Sequence, residues 1–314
     1  MLQKISTATQ QFAGPQNSTR ILLSNIENNH YSVFNQFHTY DYVKSQSRLY
    51  IGETLNVIDN MAIDFLRVEY ANLLMIGWDT EKARGMFTFA VLSLCINYWI
   101  ANHSVPDKPF IYLFNCKPLD DDYFKDTLKL LADLLPHYIS YVPCGDAGDI
   151  LTVVSELYKS VNVPKINDQY FFVFGYQRAE ELKLRNNPSD DEEFNLHKRN
   201  GISLSVENMF KDILKNGAQN GIHSILWQDS FSAMEKDYND VISYFSMRIA
   251  FDMTADEYSR FVSENDISLM SKNNAIYYSR TRDNQRFRPY QTPDEDWLTS
   301  ICDRLEYKNE RPEL

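Results

Sequence analysis

Apolar residues in this chain fall into short unbroken runs, separated by longer stretches with a helical repeat. Residues 72–77 carry four apolar side chains in a row (Leu73, Leu74, Met75, Ile76) closed by a glycine, the pattern of a strand buried on both faces. Polar residues 79–82 follow. Then Met86, Phe87, Ala90, Val91, Leu94, Cys95 and Tyr98 recur at spacings of three and four, which predicts a long helix over 80–101 with a broad buried face. The alternation continues downstream. Strands are expected over 48–52, 62–68, 109–114, 138–142, 170–175, 223–227, 247–251 and 275–279, the last near a sheet edge. Helices are expected over 120–135, 147–161, 205–217, 237–245, 254–263 and 294–305, with Thr254 as the cap of the fifth and Pro293 close to the start of the sixth. Residues 184–200 are polar, mixed in charge and aperiodic, and read as a flexible surface loop.

Strands alternating with helices of this length specify βαβ units: an α/β fold with a mostly parallel sheet and helices on both faces. One domain is expected over 48–314. It follows an N-terminal arm or linker, 1–47, rich in Gln, Asn, Ser and Tyr, with one short strand near 20–23. No internal repeat is visible.

Composition narrows the chemistry. The net charge of −12 argues against a surface that grips nucleic acid by neutralising phosphates, so direct nucleic-acid binding is expected to be weak or indirect. The four cysteines are widely spaced, without a CxxC pair or a nearby His, and no metal site is expected. No apolar run reaches membrane-spanning length and the N-terminus lacks a signal-peptide core, so the expectation is a cytoplasmic protein without a membrane role. Only 10 of 314 residues are Gly, which leaves few places where backbone could wrap a pyrophosphate.

Residues 72–95 nevertheless have a phosphate-loop layout, strand–turn–helix, without its glycines. Further along come YFFVFGYQRAEEL, then NGAQNGIHSILWQDS, then MRIAFDMTADEYSRF and RFRPY. In this order the segments resemble the ATPase domain of the FtsK/SpoIIIE-type DNA translocases of the HerA/FtsK group, over roughly residues 48–292. The likeness is greatest to the degenerate motor-like domain at the C-terminal end of large bacterial members. It implies a P-loop NTPase-like (RecA-like) fold. It also implies that 72–77 leads into a Walker A loop, that 170–175 is the Walker B strand, and that Gln228 holds the position of a nucleotide-sensing Gln.

The motifs depart from that family where the chemistry lies. A Walker A loop is GxxxxGK[ST], in which backbone N–H groups, a Lys and a hydroxyl hold phosphates and Mg²⁺. Counted from Gly77, Lys82 stands at the second Gly, Ala83 at the Lys and Arg84 at the hydroxyl, and Asp79 and Glu81 add negative charge beside Thr80. The Walker B strand should end in Asp-Glu; here Gly175, Tyr176 and Gln177 follow it. The degenerate nucleotide site is therefore Gly77, Asp79, Thr80, Lys82, Arg84 and Gln228, with no catalytic residue named and no cofactor expected. The alternative is a divergent, ATP- and Mg²⁺-using translocase domain completed by a partner subunit. The expected partners are other motor-like domains in cis or in trans, or copies of this chain, with a structural or regulatory role. Arg248 is read either as facing a neighbouring subunit or as pairing with an acid such as Asp252. Glu180 and Glu181 read as a solvated face, Asp120, Asp121 and Asp122 as helix-opening acids, and His223 as a structural histidine.

Overall fold

The structure is a computed structural model that describes residues 34, 47–55, 60–116, 126–145, 147–182, 197–199, 202–265 and 273–306. The elements below belong to the compact unit Tyr42–Leu314. The strands are β1 (Arg48–Thr54), β2 (Asn60–Asp64), β3 (Leu73–Ile76), β4 (Ile111–Asn115), β5 (Ile139–Pro143), β6 (Gln169–Phe174), β7 (His197–Arg199), β8 (Ile202–Leu204), β9 (Ile222–Gln228), β10 (Met247–Phe251), β11 (Ala275–Ser279) and β12 (Arg282–Pro289). The helices are α1 (Thr80–Asn102), α2 (Thr127–Leu134), α3 (Ala147–Lys159), α4 (Val206–Asp212), α5 (Phe231–Ile242), α6 (Ala255–Val262) and α7 (Glu295–Glu306).

Ten strands form one sheet in the order β2-β1-β12-β11-β10-β3-β9-β6-β4-β5. From β10 to β5 every pairing is parallel, and from β10 outward to β2 every pairing is antiparallel. The unbroken apolar runs sit in the parallel half because both of its faces are covered. One face packs on α3, α4, α5 and α6 through a continuous apolar cluster that includes Ile76, Phe171, Leu226, Val154, Phe210 and Phe261. The other face packs on α1, where the Phe87 ring meets Phe172 and Phe174 edge-on.

α1 is the central packing element, buried from Ala83 through Asn97. It is long and apolar enough to cross a membrane by length and composition, but most of it is buried inside the fold. The sheet lies beneath it and the segment after β12 beside it. Phe89 touches both Tyr290 and Trp297.

Several expectations change. The strand expected over 62–68 ends at Asp64; the chain then turns, leaving Leu66 and Val68 exposed, and Tyr70 adopts φ 59°. β11 is not near an edge, because β12, β1 and β2 lie beyond it. β12 escaped the pattern because RDNQRFRP carries few inward apolar side chains; Phe287 and Pro289 are buried, while Arg282 and Arg288 are exposed. The helix expected over 205–217 is α only to Asp212, continues as a π turn over Ile213–Gly217, and ends where Gly221 turns left-handed at φ 84°. The helix expected over 237–245 begins earlier, at Phe231. At the end of the expected loop 184–200, β7 pairs with β8 as a small antiparallel ribbon. Residues 183–196, Asp120–Asp122 and the strand expected near 20–23 lie outside the described residues.

Candidate functional site

The sheet reverses its winding at β3. The chain leaves β3 through α1 for β4, three positions away with β9 and β6 between, and the later strands β9 and β10 flank β3 on either side. In such sheets the ligand crevice lies beyond the carboxyl ends of the strands at this switch point. Here that crevice is a cleft of about 480 Å³ lined by Trp78, Asp79, Lys82, Asp252, Asn273 and Thr292, among others.

Its floor is tightly closed. The Gly77 N–H donates to Gln228 O (3.2 Å), and Gly77 O accepts from Trp227 Nε1 (3.1 Å). A Cβ on Gly77 would lie 2.2 Å from Phe251 O, so glycine is required here by the close approach of β10. Trp78, 66% exposed, stands at the lip.

Charge at the start of α1 is satisfied within the chain. Asp79 is the N-cap: its carboxylate accepts from the Lys82 N–H (3.1 Å), and its carbonyl accepts from Ala83 N–H (3.2 Å). An acid at this position also complements the helix dipole. The Lys82 ammonium pairs with Asp252 and lies 3.4 Å from Asp79 Oδ2. Asp252, at φ 47°, follows directly on β10. Arg84 is almost fully buried and pairs with Glu81, whose other carboxylate oxygen accepts from Thr292 Oγ1 (3.2 Å). Thr80 opens the helix. A second hollow of about 300 Å³ adjoins, sharing Glu81 and Thr292 and bounded by Arg84, Asp294 and Glu295.

The structure thus brings Gly77, Asp79, Thr80, Lys82, Arg84 and Gln228 to one edge. Sequence reading named Asp252 only as a candidate partner of Arg248 and missed Thr292. Asp252 could have been found as the carboxylate directly after the MRIAF strand; Thr292 had no local signal, since only folding brings it to α1. Gly175, Tyr176 and Gln177 lie at the end of β6, with β9 between them and β3. Gly175 takes φ 84°, Tyr176 is buried with its hydroxyl donating to Leu182 O (3.4 Å), and both amide atoms of Gln177 are buried without a hydrogen-bond partner. Gln228 Oε1 and Glu181 Oε2 are buried without one as well.

Arg248 does not pair with Asp252, which takes Lys82 instead. Its Nη1 donates to Phe261 O (2.8 Å), and its guanidinium lies over the Phe261 and Tyr278 rings. Burial lowers its pKa from the usual arginine value. His223 sits at the opposite, amino edge of the sheet, fully buried. Its Nδ1–H donates to Ala71 O (2.8 Å) and its Nε2 lies 3.9 Å from Asp168 Oδ2. Burial lowers its pKa, against the partial support of the Ala71 carbonyl and Asp168.

No family model matches this chain, and no curated protein matches it. Solved structures do. The cytoplasmic domain of the type VII secretion ATPase EccC of Thermomonospora curvata superposes with a TM-score of 0.55 at 13% identity, covering 84% of this chain and 31% of that one. A two-ATPase piece of EssC from Geobacillus thermodenitrificans gives 0.58 at 12%, covering 85% and 50%. The fold is P-loop NTPase-like, a mostly parallel sheet with helices. The pCW3 conjugation coupling protein TcpA, solved with ATPγS, gives 0.56 at 9%, covering 84% of this chain and 72% of that one. All three similarities are to ATPase domains of the FtsK/SpoIIIE type. The chain spans from about a third to half of the length of the two secretion ATPase chains.

Proposed function

We propose that this P-loop-type domain is a non-hydrolysing interaction module of a motor-like assembly, packing against other motor domains in cis or in trans. The observation that carries this reading is the internal neutralisation of the phosphate-loop position. Asp79 caps the helix whose N-terminus would receive phosphate, and the nearby Lys82 is held by Asp252 and Asp79. A triphosphate entering there meets Asp79, Glu81 and Asp252, and like charges in a partly desolvated cleft oppose it. The residues present therefore do not fit ATP·Mg²⁺. The Walker-B-like end offers Gly175, Tyr176 and Gln177 in place of carboxylates. EssC is solved as a piece holding two ATPases, and the EccC structure is a cytoplasmic domain; both suit a cytoplasmic module among motor domains. The acidic net charge suits protein contacts better than direct nucleic-acid contacts.

Calorimetric titration of the full chain with ATP·Mg²⁺ tests this. No micromolar binding and an unchanged melting temperature are expected. Micromolar binding that disappears in Lys82→Ala would overturn the reading. The second reading, a divergent ATPase completed by a partner, is favoured by the unpartnered buried amide atoms of Gln177 and the amide oxygen of Gln228, which a water or ligand would satisfy. Hydrolysis appearing only when a motor domain is added would support it.

A further inference from the structure

Two cysteines stand in register at the carboxyl edge of the sheet, beside the turn that follows β6. Asn115 of β4 is in register with Pro143 of β5, and the Cys144 N–H donates to Asn115 O (3.0 Å), so Cys116 and Cys144 are the next matched pair. Neighbouring strands lie about 4.8 Å apart, inside the range of roughly 4.4–6.8 Å between Cα atoms that a disulfide spans. The alternation of side chains puts both on the face of Phe114 and Val142. Both are free; Cys144 is exposed and Cys116 buried. The remaining two cysteines, Cys95 and Cys302, are both buried, so oxidant in solution meets Cys144 first.

The pair is wired to the turn over Tyr176–Arg178. Cys116 N–H donates to Phe174 O (2.7 Å), Cys116 O accepts from Arg178 Nη1 (3.2 Å), and Cys144 Sγ donates to Arg178 O (3.6 Å). A Cβ on Gly175 would lie 2.3 Å from Cys116 O, so the backbone of the turn packs directly against the Cys116 carbonyl.

We infer that Cys116 and Cys144 form a reversible disulfide switch whose state is read by the turn at the end of β6. The oxidant is a small-molecule disulfide of the glutathione class. The Cys144 thiolate attacks one sulfur of the oxidant, forming a mixed disulfide and releasing one thiol. The Cys116 thiolate then attacks Cys144 Sγ, forming the intramolecular bond and releasing the second thiol. Two protein thiols and one small disulfide become one protein disulfide and two small thiols. Burial, and then the adjacent Cys144 thiol, push the Cys116 thiol up, so the second step is the slower one. Closure removes the Cys144 donor from Arg178 O and releases that turn. The inference stands on the register of β4 and β5 and is independent of whether nucleotide binds.

The test uses the full-length chain treated with oxidised glutathione, quenched, denatured and alkylated. Reactive thiols are expected to fall from four to two per chain. Peptide mapping should give a Cys116–Cys144 link that dithiothreitol reverses, with Cys95 and Cys302 still reduced. Cys144→Ser should keep three thiols reactive, and Cys116→Ser should stop at a stable mixed disulfide on Cys144. If the buried substitution fails to fold, Cys144→Ser at the exposed position still decides the matter. Amide exchange over residues 175–182 should quicken on oxidation. A mixed disulfide that accumulates on wild-type protein without closing, a Cys144 bond between two chains, or a closed bond with unchanged exchange would each overturn the inference.

Discussion

Lys82 holds two carboxylates at the start of α1, those of Asp79 and Asp252. The side chain of Asp252 is only 7% exposed, and that of Lys82 only 16%. Removing one member of a buried pair leaves the other charge uncompensated, at a cost of about 3 kcal/mol, whereas removing both members costs much less. Lys82→Met should therefore destabilise the protein by roughly 3 kcal/mol in urea unfolding, and Lys82→Met with Asp252→Asn should recover most of that loss. A single mutant within about 1 kcal/mol of wild type would show that the pair is solvated and weak.

At the scale of elements, α1 and the segment that follows β12 depend on each other. Gly85 lies inside α1, where alanine is favoured over glycine by about 1 kcal/mol on helix propensity alone. A Cβ at Gly85, however, would lie 2.2 Å from Tyr290 O, a backbone atom just beyond β12. Overpacking against backbone costs about 1–3 kcal/mol. Gly85→Ala is expected to lower the urea midpoint despite its better propensity, and a raised midpoint would mean that the segment after β12 yields. This contact also marks the limit of what periodicity can report. The helix 80–101 was legible because its apolar residues repeat at three and four. β12 was not, because its side chains point largely to solvent and its pairing with β11 and β1 supplies what its composition lacks. The candidate site divides the same way: Gly77, Asp79 and Lys82 were visible as a loop, but Asp252 and Thr292 reach it from distant parts of the chain.

For the molecule as a whole, acid stability is set in part at the amino edge of the sheet. There Asp168 accepts from Ser47 Oγ (2.7 Å) and Arg67 Nε (2.8 Å), and buried His223 lies next to it. Since burial lowers the His223 pKa, the folded and unfolded forms are both neutral well above the unfolded value of about 6.5. As the pH falls through that value the unfolded chain takes up a proton that the folded chain resists, so stability is lost on the acid side. Urea midpoints measured between about pH 7.5 and 5.5 should fall in wild type and fall less steeply in His223→Gln; equal slopes would place the acid sensitivity elsewhere.

The sequence alone determined the class of the fold and the order along the chain of its central strands and helices, because these are written in local period and in residue type. Tertiary structure alone decided the four-strand antiparallel extension, the pairing of Lys82 with Asp252, and the juxtaposition of Cys116 with Cys144. Each depends on residues far apart in the chain, and only the closing of the sheet brings their charges, carbonyls and thiols within reach.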